Sequence, residues 1–108
     1  MSWHTIIQVA SVGDEVIGFD TVEPTLTSIF QRDGTHLDVL ENLRTAFAEG
    51  EGVCSVHPGY LQEVFSQLAP LITTGTLEAR CIGDEFRDTW VMSIAEGYVQ
   101  FSEGPWDP

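Results

Sequence analysis

Residues 75–104, GTLEARCIGDEFRDTWVMSIAEGYVQFSEG, alternate apolar and polar side chains in three successive runs, and this leaves the chain little freedom in how to fold. In residues 76–82, Leu77, Ala79 and Cys81 fall on one side, and Glu78 and Arg80 on the other. In residues 89–94, Trp90, Met92 and Ile94 share a side against Thr89, Val91 and Ser93. Val99 and Phe101 then alternate with Tyr98, Gln100 and Ser102. Period-two alternation is the mark of half-buried strands. Ala95-Glu96-Gly97 reads as a three-residue hairpin loop, with glycine taking the final position where φ is positive. The connection at residues 83–88 is longer and charged, and reads as an exposed loop. A meander apolar on one face and mixed on the other needs helices on its apolar side.

The remainder of the chain supplies that cover. Residues 3–12 read as a strand rich in β-branched side chains, apolar on both faces and so suited to a central position. Residues 12–15 form a turn, and residues 16–19 could return as a short second strand. Pro24 suits the first turn of a helix, and Leu26, Ile29 and Phe30 have helical spacing for one or two turns before Asp33-Gly34. Residues 35–49 give the clearest helix: Thr35 and Asp38 resemble a capping box, Leu37, Leu40, Leu43 and Phe47 make a stripe, and Gly50 closes it. Residues 51–56 are a loop or short strand. Pro58 opens a second helix to about residue 73, apolar along Leu61, Val64, Phe65, Leu68, Leu71 and Ile72, with a kink or end at Pro70. The expected fold is a single α+β domain: an antiparallel or mixed sheet of four to five strands with two helices packed on one face. The tail from Gly104 holds two prolines, and its Trp106 is a candidate to fold back onto the core edge.

Charge narrows the function. Seventeen acidic residues face four arginines and no lysine, a formal net charge of −13. Such a surface repels phosphate backbones, which argues against direct nucleic-acid binding, and steers the chain towards basic partners. The plainer reading is that the acidity serves solubility. No apolar run approaches the ~20 residues of a membrane helix, and the first residues lack a secretory signal, so the expected location is the cytoplasm. Cys54 and Cys81 make no disulfide framework, and the expectation is two reduced, buried thiols.

Few residues are arranged for chemistry. Cys54-x-x-His57 is half a zinc-ligand spacing without its other half, and the same pair is a nucleophile and base without an orienting third group. Asp84, Glu85 and Asp88 crowd one loop without the register of a calcium site. No phosphate-binding glycine loop, nucleophile elbow or zinc-protease motif occurs, and the absence of lysine removes side-chain Schiff-base chemistry. Neither metal nor cofactor is expected. The runs Gly75-Thr-Leu-Glu, Gly83-Asp-Glu, Asp88-x-Trp90 and Gly97-x-Val99 together resemble the C-terminal part of small acidic proteins of actinobacteria and their phages. The resemblance implies a phage or bacterial accessory protein and carries over no functional residue.

Three classes follow. The first is an acidic protein-binding module, of the DNA-mimic, anti-defence or immunity type, that docks on a basic protein surface, for example that of a nucleic-acid-binding protein. The second is an accessory domain with no inhibitory role. The third is a small enzyme using Cys54 and His57. For the first, the expected contact residues are the aromatics Phe86, Tyr98 and Trp106 ringed by Asp84, Glu85, Asp88, Glu96 and Glu103.

Overall fold

The alternating segments pair into one antiparallel sheet. The structure, a computed structural model, describes residues 4–12, 16–83 and 89–103, with the backbone alone at Ser102 and Glu103. Trp3, the turn at residues 13–15, the loop bearing Asp84, Glu85, Phe86 and Asp88, and the tail with Trp106 lie outside the described residues. The strands are β1 (Thr5–Val12), β2 (Glu51–Cys54), β3 (Thr76–Ile82), β4 (Trp90–Ala95) and β5 (Tyr98–Glu103). Their spatial order is β2-β1-β3-β4-β5, and every neighbouring pair is antiparallel. β1 is thus an interior strand, as its two apolar faces require. Because β2 and β3 both oppose β1, they run the same way on either side of it.

Among the described residues three α-helices cover the sheet, one more than the spacing of apolar residues suggests. They are α1 (Phe19–Asp33), α2 (Leu37–Glu49) and α3 (Pro58–Ser66). In place of a strand at residues 16–19, the chain turns into α1 at Phe19. Pro24 sits at the sixth helical position, not in the first turn, so α1 forgoes one backbone hydrogen bond there. Tertiary contacts offset that loss. Phe19 packs edge-on against Phe47 at 5.5 Å, and Arg44 of α2 lies 4.9 Å above the Phe19 ring while its Nη2 donates to Glu23 at 2.6 Å. Gly34 ends α1 at φ 72°, in the left-handed region glycine enters freely.

The cap of α2 is His36, not Thr35: the imidazole Nδ1 accepts from the Asp38 amide at 3.2 Å. Moving the start by two residues turns Leu37 outward, at 64% exposure, and the buried stripe becomes Val39, Leu40, Leu43 and Ala46. α3 starts the same way, with His57 Nδ1 accepting from the Gly59 amide at 2.9 Å and Pro58 in the first turn. It stops at Ser66 and a short 3₁₀ turn, Ala69–Leu71, follows, because Pro70 has no N–H to extend the ladder.

The inward side chains form one continuous core that includes Leu40, Leu43, Phe65, Leu68, Leu77, Trp90 and Met92. A chain of rings runs through it from α1 to β5. Phe47 stacks on Phe65 at 6.5 Å, and Trp90 meets both Phe65 and Phe101 at 6.2 Å. The Trp90 indole N–H donates to the Pro58 carbonyl at 2.9 Å, which anchors the start of α3 to β4. Each such side chain contributes ~1.5–3 kcal/mol by burial. Where α2 lies on β2 the backbones nearly touch: a Cβ on Gly52 would stand 2.5 Å from the Asn42 carbonyl oxygen. Cys54 and Cys81 are buried on strands separated by β1. Two strand spacings, ~10 Å, exceed the span a disulfide bridges.

Candidate functional site

Helices occupy one face of the sheet, and the alternation delivers a different set of side chains to the other. Reading across the strand register, Gln8, Arg80 and Val91 form one row, Ala10, Glu78, Ser93 and Gln100 the next, and Val12, Thr76, Ala95 and Tyr98 the last. Among the described residues no helix covers these rows. Arg80 is their one cation among the described residues, and Glu78 lies beside it. At the β2 edge Gln8 donates to the Glu51 carboxylate at 2.9 Å.

Two shallow depressions lie on this open face. One, of about 390 Å³, is lined by Gln8, Ala10, Glu78, Arg80 and Val91, among others. The other, of about 380 Å³, is bounded by Thr76, Ser93, Ala95, Glu96, Tyr98 and Gln100. The second brings together two residues expected from sequence to touch a partner, Glu96 and Tyr98. Tyr98 is 76% exposed, an aromatic ring with little protein against it. The backbone of Glu103 pairs with Trp90, which puts it at the far end of β5 from Tyr98.

The turn that sets Glu96 differs from the three-residue loop read from sequence. Ala95 pairs directly with Tyr98, leaving a two-residue turn in which Glu96 and Gly97 have φ of 53° and 81°. Two positive values define the type I′ turn, whose twist matches the strands it joins. Asn-Gly is the favoured pair there, and a glutamate in the left-handed region is strained. Among the described residues Glu96 alone, apart from glycine, has positive φ. The turn is fixed from below as well, since the Gly97 amide donates to the Ile72 carbonyl at 2.9 Å.

A third concavity, about 500 Å³, opens where α1 ends and α2 and α3 begin, and sequence reading did not foresee it. Tyr60 organises it. Its hydroxyl donates to Asp33 Oδ2 at 2.9 Å and lies 2.6 Å from Thr35 Oγ1. A phenol has one proton, and the carboxylate takes it, so Thr35 must donate to Tyr60. Hydrogen bonds from Arg32 first, then from Tyr60, hold the Asp33 carboxyl below the usual range. Burial is the main cause that raises the Tyr60 phenol. His36 and His57 also line this cleft. The signal for His57 in the sequence was Pro58: a proline at the first helical position makes its predecessor the cap.

Cys54 does not reach that cleft, although its neighbour Ser55 does. Its thiol is fully buried, and burial pushes it up to about 12. A thiol so held is a poor nucleophile at neutral pH. Among the described residues, no three His, Cys, Asp or Glu side chains converge to hold a metal ion. No helix among the described residues is long and apolar enough to cross a membrane. Set against known proteins, the chain matches no family model, no curated protein and no solved structure.

Proposed function

We propose that the chain is an acidic protein-binding module that docks the Tyr98 end of its open sheet face onto a basic protein surface. Glu96 carries this reading. A glutamate held at φ 53°, where asparagine or glycine would sit with less strain, stands beside a largely exposed tyrosine in one depression. Strain kept at an exposed position points to a use for that side chain. The net charge of −13 supplies the rest of the mechanism. Long-range attraction raises the encounter rate with a lysine- and arginine-rich patch, while each exposed ion pair adds only ~0–1 kcal/mol. Affinity then depends on an aromatic anchor, and Tyr98 is the described residue placed to act as one. Asp84, Glu85, Phe86, Asp88 and Trp106 remain candidate contacts by sequence, whereas Glu103, paired with Trp90 at the far end of β5, is not part of this patch. A phage- or bacterium-encoded antagonist of a nucleic-acid-binding protein is the setting that this size and charge fit best.

The test pairs two substitutions. Glu96→Asn should stabilise the fold by up to ~1 kcal/mol by relieving the turn. The same substitution should weaken capture of a basic protein from host lysate at low salt. Tyr98→Ala should abolish that capture and leave the fold intact. Capture that is equal for wild type and both variants, or indifferent to salt, would sink the proposal.

A further inference from the structure

We infer that the outer edge of β5 pairs with the same edge of a second copy, joining two five-stranded sheets into one across a two-fold axis. The inference uses backbone and apolar groups and does not depend on the docking proposal. The first argument is an unprotected edge. β5 ends the sheet, and its register against β4 runs without a bulge. Residues 98–102 carry neither charge nor proline. Natural sheet edges are blunted by charge, proline, a bulge or short length. The opposite edge follows that rule: β2 has four residues, begins with Glu51, and lies directly against α2 at Gly52. β5 is six residues long and has none of these devices before Glu103.

The second argument is which groups the hairpin leaves free. Ala95 and Tyr98 flank a two-residue turn and so form a hydrogen-bonded pair, and bonding to β4 alternates from there through Gln100 and Ser102. The N–H and C=O of Val99 and Phe101 therefore point away from the sheet. Among the described residues no backbone group outside β4 bonds to β5, and the Gly97 amide just before it is taken by Ile72. The side chains of Val99 and Phe101 lie on the helix side, opposite Ile94 and Met92. Yet Val99 is 36% exposed and Phe101 only half-buried, so the helix layer leaves this strand partly uncovered.

A second copy is the occupant that fits. The edge is neutral within a chain of net charge −13, so a basic strand would find no carboxylate along residues 98–102. With β2 blunted, β5 cannot propagate an open filament through it, and the closed arrangement is β5 against β5. Placing Gln100 on the two-fold axis sets Val99 of each copy against Phe101 of the other, and each such pair exchanges two backbone hydrogen bonds. The two Gln100 amides meet on the open side, where each can donate to and accept from the other. Sliding the register one way sets Glu103 against Val99. Sliding it the other way sets Phe101 against Gly97, whose amide is already bonded.

Sedimentation equilibrium of the full chain at ~50 and ~500 mM salt tests this. The chain should dimerise, and its dissociation constant should fall severalfold at the higher salt, because screening weakens the repulsion between two acidic bodies. That response is opposite to the one expected for docking on a basic protein, so the two proposals fail separately. Gln100→Glu sets two carboxylates face to face on the axis and should weaken the dimer by about tenfold. An equimolar mixture of Gln100→Glu and Gln100→Lys should associate more tightly than either variant alone. Gln100 is exposed, so both variants should keep the wild-type circular dichroism spectrum. A chain that is monomeric at every concentration and salt would overturn the inference. So would a dimer that Gln100→Glu leaves unchanged, or one that salt weakens.

Discussion

The two faces of the sheet are built from the same strands, one residue apart, and they serve opposite ends. On β3, Leu77, Ala79 and Cys81 are buried under the helices, while Glu78, Arg80 and Ile82 stand on the uncovered side. On β4 the fully covered Trp90, Met92 and Ile94 alternate with the half-buried Val91, Ser93 and Ala95. The covered face holds nearly everything that makes the fold stable. The open face is largely released from that duty, so its residues can be chosen for contact with something else. The pleat of one sheet thus separates the residues that stabilise the fold from those of the proposed docking surface.

That division breaks first, and most visibly, at Trp90. Trp90→Ala removes a core ring, its contacts with Phe65 and Phe101, and the bond to Pro58. The expected loss is ~3–5 kcal/mol in denaturant melts. A wild-type midpoint would mean that the covered face does not carry the stability assigned to it. Next comes Gly52→Ala, where a methyl group meets backbone and not a movable side chain. The expected loss is ~1–3 kcal/mol, as in other overpacked sites; a neutral result would show that α2 can lift from β2 at little cost.

The covered face should also respond to alkali. The Cys54 thiol is raised to about 12 in the folded protein, against ~8.5 in an unfolded chain. The unfolded state therefore loses its proton first. The thiol's contribution is fully present below the unfolded value and is lost as pH climbs towards the folded one. Stability should fall by up to ~1.4 kcal/mol per pH unit in that window. Melts of Cys54→Ala should lack this part of the slope. An identical slope in the variant would mean the thiol is not shielded.

The smallest stability effect belongs to the open face. Tyr98→Ala should shift the melting free energy by no more than ~0.5 kcal/mol, as exposed positions usually do. A loss of several times that would make Tyr98 a structural residue, and the two faces would no longer be distinct in kind.

Much of this layout was legible in the sequence, for identifiable reasons. β3 and β4 were readable because each carries one face per side chain parity, and α2 because four apolar residues recur at helical spacing. α1 was legible only in its second half. Gly18 offers no capping side chain, and Pro24 looks like a beginning when it is an interior position of a helix whose first residue, Phe19, is packed under Arg44. The I′ turn was misread by one residue, since Glu96 is not a residue that usually tolerates positive φ. The cleft was invisible for a different reason. It joins Asp33 and Thr35 to Tyr60, and no local pattern announces a contact between segments so far apart in the chain. His36 was overlooked as a cap because threonine beside it is the commoner one.

The placement of β1 bears on how the molecule is made. β1 precedes both of its neighbours, β2 at Glu51–Cys54 and β3 at Thr76–Ile82, by a long stretch of chain. A ribosome therefore releases this apolar strand long before either flank exists. Until then both rows of its backbone hydrogen-bonding groups are unpaired, and an unpaired strand is a template for pairing with other chains. Sheets closed by such distant pairings form slowly. The acidic residues that follow β1 give the unfinished chain a mutual repulsion during that wait, so one charge distribution protects the nascent polypeptide as well as shaping the mature surface.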